Sequence, residues 1–518
     1  MNGTPEDIAD TVTYWRARKP DAEAMRCGAL SWTWSELDER IRRNAAAQLA
    51  IGLVRGDRIV SFDKNHPFCL ETSLAATLIG TTNAVVNFRL APPEIAYIIN
   101  DSQATVVLVG AEFVAVLAEI RADLPMVREV IVVGGDDDEY EAWLAANEPL
   151  RDNEPVDPEE CFLQLYTSGT TGFPKGAMIT QRGITAHANS MSEGIGVDDE
   201  SVSMVAMPLF HVGGSSWALC TLYYGARQVL VREVNPPALL DELIDQGVTH
   251  TFLVPAIFGF LLQVPGVAER DYAKLRGLVY GASPMPLPLL RRSLATFPAD
   301  FHQVYGMTEA SGAVTILGPE QHKDKTNEHR LVSAGLPLEG VEIIAADPVT
   351  GEPLGPGEVG EIMVRTRQLM TGYWRNPQAS EQTLTADGWL HSGDAGYLDE
   401  DGYLYISDRV KDMIISGGEN VYPAEVERVL GEHPSVADVA VIGVPDEKWG
   451  EVGKAIVVAA PGATVDADEL IALCRSQLAA FKCPKSIEVV SELPRNATGK
   501  ILKRTLREPY WADRSRAV

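Results

Sequence analysis

Tyr166-Thr-Ser-Gly-Thr-Thr-Gly-Phe-Pro-Lys-Gly176 follows directly on the apolar run Phe162-Leu-Gln-Leu165. Hydroxyls and glycines at this density, placed after a strand, let backbone N–H groups wrap a polyphosphate, and Lys175 adds a positive charge. The pattern is not G-x4-G-K-[ST], because Pro174 stands where that loop needs a glycine. An ordinary polar loop is the bland alternative. The order of the residues from Tyr166 to Gly176 argues against it.

On the N-terminal side of this stretch the chain alternates helical and extended patterns. Ser35 and Asp38 read as a capping pair, with Leu37, Ile41, Ala45 and Leu49 at helical spacing and Gly52 as the stop. Arg58–Phe62, Thr105–Val109 and Val130–Val133 read as strands, with helix across 113–122. Such alternation predicts open, largely parallel α/β layers. The acidic stretch Asp136 to Glu139 reads as a solvated loop. From about Ala334 the texture turns to short strands and Gly/Pro turns, as in Gly351-Glu-Pro-Leu-Gly-Pro-Gly-Glu358, predicting a small β-rich subdomain. After Asp408 an α+β unit is expected, with a helix opened by Pro423, strands at 439–444 and 455–458, and a helix capped by Asp466.

The whole chain has 518 residues, 44 basic and 72 acidic, for a net charge of −28. That balance disfavours nucleic acid and anionic membrane surfaces as partners. The six cysteines (Cys27, Cys69, Cys161, Cys220, Cys474, Cys483) are scattered without a C-x-x-C pair, which suits reduced, buried thiols. Glu6, Asp7 and Asp10 precede any apolar run, the wrong order for a signal peptide. The most apolar span, Phe252 to Ala268, is broken by Pro255, Gln263 and Pro265 and reads as core. A soluble, cytoplasmic protein without a transmembrane segment is expected. A homodimer is compatible with the sequence, which leaves the oligomeric state open.

Four further stretches accompany the first in order: Gln303-Val-Tyr-Gly-Met-Thr-Glu309; Gly372-Tyr-Trp-Arg-Asn-Pro377; Gly388-Trp-Leu-His-Ser-Gly-Asp394; and a run from Ser407-Asp-Arg-Val-Lys-Asp412 through Gly417–Glu427, closed by Pro494-Arg-Asn-Ala-Thr-Gly-Lys500. Together they resemble the adenylate-forming enzymes: acyl-CoA synthetases, 4-coumarate ligases, luciferases and peptide-synthetase adenylation domains. Bacterial fatty-acid or aryl-acid CoA ligases are the most similar group. The resemblance covers essentially the whole chain. It implies an N-terminal domain over 1–407 with ATP and acid sites, a hinge at 408–411, and a mobile C-terminal domain over 412–518.

The resemblance further implies a two-step ligase. A carboxylic acid is activated with ATP and Mg²⁺ as an acyl-adenylate, then passed to coenzyme A. In that reading Thr167, Ser168, Gly169, Thr170, Thr171, Gly172 and Lys175 form the phosphate loop, and Gly281, Ala282, Ser283, Gly306 and Met307 complete the nucleotide site. Tyr305 offers a flat face to adenine and Thr308 a hydroxyl to the α-phosphate. Glu309 supplies a hard oxygen to Mg²⁺. Asp394 accepts the ribose hydroxyls, since a carboxylate takes two hydrogen bonds at once. Arg409 reaches ribose or phosphate, and Lys500 offsets the charge that builds when a carboxylate meets an α-phosphate. Lys411 corresponds to the hinge, and Ser416, Gly417 and Gly418 to a side-chain-free path for the thiol arm.

The acid would meet His211, Val212, Gly213, Gly281, Gly306 and Met307. In amino-acid-activating relatives an aspartate holds the substrate ammonium where this chain has His211, so an α-amino acid is disfavoured. His211 is read either as a gate beside the carboxylate or as a packed histidine. The small residues Gly213 to Ser216 either open the wall to a bulky or long acid or answer a backbone packing need. The alternatives in function are a non-CoA acceptor (a carrier-protein thiol, an amine, or oxygen) and a non-catalytic nucleotide-binding regulator. The regulator would be expected to lack Lys500, Glu309 or the phosphate loop, and all three are present.

Overall fold

The structure, a computed structural model, describes residues 3–136, 138–167, 174–348, 350–409, 412–416, 419–446, 448–478, 480–495 and 501–511. Two large sheets form the body. One runs in the order Glu129–Val133, Val106–Gly110, Arg58–Phe62, Thr82–Val85, Cys161–Thr167, Lys175–Thr180. Its strands are parallel except the last pair, which is antiparallel and brackets residues 168–173. Val106–Gly110 is buried at every position, as expected of a parallel strand covered on both faces.

The other large sheet runs Leu336–Pro337, Gly312–Leu317, Asp300–Met307, Gly277–Gly281, His250–Leu253, Val202–Val205, Arg227–Leu230, Glu23–Cys27, Leu30–Thr33. Between the two sheets lies the helix Pro67–Ile79, which touches strands of both and has no exposed residue. Its apolar residues suit such a sandwiched place, and its one charged side chain, Glu71, is paired with Arg40 at 2.7 Å. Gly80, in the left-handed region at φ 75°, ends it where a side chain would be strained.

A smaller antiparallel sheet follows, in the order Val341–Ala346, Gly360–Thr366, Leu390–Leu398, Leu404–Arg409. The C-terminal unit has its own sheet, with Gly450–Ala459 at the centre between Ile414–Ser416, Val436–Asp446 and Ser486–Val490. Its core gathers Ile414, Val426, Leu430, Val441, Val457 and Leu470. Helix Ala467–Gln477 is capped by Asp466, as its sequence predicts. The chain is thus a large mixed α/β N-terminal domain with a small α+β C-terminal one.

Two local expectations need correction. Helix Trp34–Ala50 is capped by a Thr33–Glu36 box, not by Ser35 and Asp38. The T-x-x-E pattern begins two residues earlier, and Asp38 is instead buried, accepting hydrogen bonds from Thr13, Arg16 and Arg42. The acidic stretch is more than a solvated loop: Asp138 caps helix Glu139–Ala145, where negative charge meets the positive end of the helix. The apolar span 252–268 divides between strand His250–Leu253 and helix Pro255–Leu261. Among the described residues, no helix is long and apolar enough to cross a membrane.

Candidate active site

In open parallel sheets, ligands gather beyond the carboxyl ends of the strands. Those ends carry the motif residues here. Thr167 closes Cys161–Thr167, Gly281 closes Gly277–Gly281, and Met307 closes Asp300–Met307. Thr167 lies opposite Lys175 across the antiparallel pair, so both flanks of residues 168–173 are fixed in register. Ala282 follows its strand at φ 65°, a left-handed conformation uncommon for a residue with a side chain.

After Met307 the chain turns through a short 3₁₀ segment, Thr308–Ala310, that buries Thr308 and leaves Glu309 half-buried. The Met370 amide donates to the Glu309 carbonyl at 2.8 Å. The Tyr373 hydroxyl donates to Glu309 Oε1 at 2.6 Å. Burial, and then the charge of Glu309, hold the Tyr373 phenol well above its ordinary range, so it stays a donor. The Thr167 side chain lies near enough to the Tyr373 phenol to oppose that rise, and Lys175 Nζ lies 5.0 Å from the centre of its ring. One aromatic side chain therefore joins Glu309 to both flanks of the hydroxyl- and glycine-rich segment.

On the other side of Met307, Tyr305 reaches across to the smaller sheet. Its hydroxyl donates to Asp394 Oδ2 at 2.7 Å. Asp394 is only 6% exposed, and its amide is held by the Ser392 hydroxyl at 3.1 Å. In the strand pairing Asp394 stands opposite Arg409.

The region proposed for the acid is built on Val212–Tyr223, a buried helix with His211 at its N-cap position. Gly213 faces the ring of Phe252, where a built Cβ would come within 2.8 Å. Trp217 packs on the same ring at 6.4 Å between centroids. A Cβ on Gly214 would run into the carbonyl oxygens of Pro208 and Met207. Ser215 and Ser216 spend their hydroxyls on the carbonyls of Leu209 and Val212. Of these small residues, Gly213 is thus the one whose missing side chain opens toward other side chains. Gly281 and Gly306 likewise answer to backbone, facing the carbonyls of Val304 and Gly312.

A family model described as AMP-binding enzyme matches residues 12–374, and one described as AMP-binding enzyme C-terminal domain matches 425–500. The chain belongs to the AMP-binding enzyme family. A feruloyl-CoA synthase of Amycolatopsis sp. is 40% identical over 96% of this chain and 97% of its own. A fatty acid–[acyl-carrier-protein] ligase, ScoC, of Streptomyces coeruleorubidus is 38% identical over 99% of this chain and 98% of its own. Among solved structures, ATP-bound MatB from Rhodopseudomonas palustris superposes with a TM-score of 0.89 at 29% identity, covering 97% of this chain and 98% of that one. As a member of the AMP-binding enzyme family, the chain is an ATP-dependent, AMP-forming ligase.

Of the residues the sequence singles out, the structure brings Thr167, Lys175 and Glu309 together through Tyr373, and Tyr305 together with Asp394. Ser168, Gly169, Thr170, Thr171, Gly172, Lys411, Gly417, Gly418 and Lys500 lie outside the described residues, as does the Arg409 side chain. Ser416 is buried at the end of strand Ile414–Ser416. Tyr373 lies in the Gly372–Pro377 motif, to which the sequence alone assigns no residue role. The signal the sequence offers is a hydroxyl-bearing aromatic inside that motif.

Proposed function

We propose that this AMP-forming ligase activates an apolar carboxylic acid, aryl or fatty, and passes the acyl group to coenzyme A. The observation that carries the reading is the Tyr373 bridge between Glu309, Thr167 and Lys175, with Asp394 locked to Tyr305 on the far side of Met307. A nucleotide whose phosphates meet the first group and whose ribose meets Asp394 would span the strand end of Asp300–Met307.

In the first half-reaction a carboxylate oxygen of the acid attacks the α-phosphorus, and pyrophosphate leaves with the bonding pair. Thr308 and Lys500 would stabilise the charge gathering on the phosphate oxygens. Mg²⁺ would arrive with ATP and be held by Glu309. Among the described residues no cluster of His, Cys, Asp and Glu forms a protein cage. A single half-buried carboxylate suits a hard cation that keeps most of its waters and the substrate's phosphates. In the second half-reaction a thiolate attacks the acyl carbon and AMP leaves. With a thiol pKa near 8.5 a few per cent is thiolate at neutral pH, so no dedicated base is required. Lys411 as hinge and Ser416, Gly417 and Gly418 as thiol path belong to this proposal, as do the division at 407 and 412 and a cytoplasmic setting.

An apolar acid is supported by the aromatic surroundings of Gly213 and by the aryl and fatty acyl names of the relatives. His211 at the helix start offers no carboxylate to an ammonium group. The carrier-protein relative supports a second reading, in which the acceptor is a pantetheine thiol on a protein. The test is to supply ATP, Mg²⁺ and a panel of aryl and fatty acids, following AMP with CoA, with a phosphopantetheinylated carrier protein, and with neither. Acid-dependent AMP and acyl-CoA are expected. Turnover with the carrier protein alone would select the second reading, and ADP as the sole nucleotide product would overturn the adenylate mechanism.

A further inference from the structure

Helix Pro92–Ser102 carries none of the motif residues, yet it meets both flanks of residues 168–173. On one flank the Tyr166 hydroxyl donates to Asp101 Oδ2 at 2.8 Å. On the other, the Tyr97 hydroxyl donates to the carbonyl of Pro174 at 3.3 Å. The Asp101 carbonyl takes a further bond, from the Trp374 indole at 3.0 Å, and the Trp374 amide donates to Gly176 at 2.8 Å. Tyr166 in turn accepts from the buried Gln164 amide at 2.9 Å. Gln164 occupies the space a side chain on Gly176 would need, which accounts for the last glycine of the motif without a ligand.

We infer that Asp101, assisted by Tyr97, is a positioning residue for the ATP phosphates: it fixes Tyr166, and through it the register that sets Thr167 opposite Lys175. The inference rests on the proposed phosphate role of these flanks. Helix Pro92–Ser102 is one rigid turn-to-turn unit, so Asp101 and Tyr97, one turn apart, hold the entering and leaving strands at a set separation. Burial, then the neighbouring Asp101 charge, raises the Tyr166 phenol, so Tyr166 remains the donor and Asp101 the acceptor. Such a charge-assisted bond is stronger than a neutral one. Trp374 stacks on the guanidinium of Arg58, 3.2 Å from its ring centre, and closes the cluster from the other side.

The test is acid-dependent ATP–pyrophosphate exchange in full-length Asp101→Ala, Asp101→Asn and Tyr166→Phe, alongside thioester formation from supplied acyl-adenylate. Asp101→Ala is expected to raise the KM for ATP about tenfold, the loss of one charge-assisted hydrogen bond, with the KM for the acid unchanged. Asp101→Asn keeps an acceptor and should recover most of that loss. Tyr166→Phe should reproduce the alanine effect without touching Asp101, which guards against an alanine variant that fails to fold. Thioester formation from supplied adenylate should stay within about twofold, since no triphosphate is bound in that step. A folded Asp101→Ala and Tyr166→Phe pair with the wild-type KM for ATP would overturn the inference. So would equal losses in both half-reactions. Absence of exchange in the wild-type enzyme would instead overturn the functional reading beneath it.

Discussion

The Tyr305 hydroxyl donates to the Asp394 carboxylate at 2.7 Å, joining the end of a nine-stranded sheet to a separate four-stranded one. In the proposed site, the residue that would offer its ring to adenine thus also orients the carboxylate that would take the ribose. Asp394→Ala is expected to raise the KM for ATP about a hundredfold, the scale of two lost hydrogen bonds to a charged acceptor. Tyr305→Phe keeps the ring and should cost about fivefold, as one orienting bond is lost. Steady-state kinetics with varied ATP checks both. A phenylalanine variant as impaired as the alanine one would show that orientation, not ribose binding, is the main role of Asp394.

Tyr373 makes a corresponding bond to Glu309, and its loss should be read in the metal dependence. Tyr373→Phe leaves Glu309 without the donor that fixes Oε1. Half-saturation in Mg²⁺ is expected to rise about tenfold, while the KM for the acid stays the same. Titration of Mg²⁺ at fixed ATP in the pyrophosphate exchange assay gives the answer. An unchanged Mg²⁺ curve would remove Glu309 from the metal site.

The two neighbouring glycines of the helix start should behave differently. A Cβ at Gly214 collides with backbone, so Gly214→Ala should destabilise the protein by about 1–3 kcal/mol, the usual cost of overpacking. A Cβ at Gly213 meets the edge of the Phe252 ring, which can turn. Gly213→Ala should therefore melt close to wild type and shift preference toward smaller acids. Thermal melts and kcat/KM across an acid series separate these outcomes. Unaltered acid preference in Gly213→Ala would place the acid elsewhere.

Stability should fall on acidification between about pH 6.5 and 4. Burial lowers His187, His250 and His302 each to about 4. Within that window the unfolded chain binds protons that the folded one refuses, so the folding free energy decreases as pH falls. Each such histidine contributes at most about 1.4 kcal/mol per pH unit. The loss is complete only below the folded value. Melting temperature measured against pH should show this slope, and His302→Phe should flatten it. An identical slope in His302→Phe would mean that His302 contributes nothing to it.

Much of the framework was legible in the chain. Arg58–Phe62 reads as a strand and is one over those residues, because β-branched and aromatic side chains bounded by turn residues state it locally. The cap Asp466 is equally local. The Asp101–Tyr166 and Glu309–Tyr373 bonds join residues 65 and 64 positions apart. No spacing rule reaches that far; these pairs exist only once two strands and a helix have docked. The glycines illustrate the same limit. Gly213 and Gly214 are identical in sequence terms, and only the path of the Pro208 carbonyl tells which one faces backbone.

If the acid attacks the α-phosphorus of ATP, the fate of its carboxyl oxygens reveals it. With the acid labelled by ¹⁸O in both carboxyl positions, one labelled oxygen should leave with AMP when the thiol takes the acyl group. The other should remain in the thioester. Mass spectrometry of the released AMP is expected to show one ¹⁸O per molecule, with pyrophosphate unlabelled. Unlabelled AMP, or label appearing in phosphate or pyrophosphate, would contradict an acyl-adenylate and the site described around Glu309, Tyr373 and Asp394.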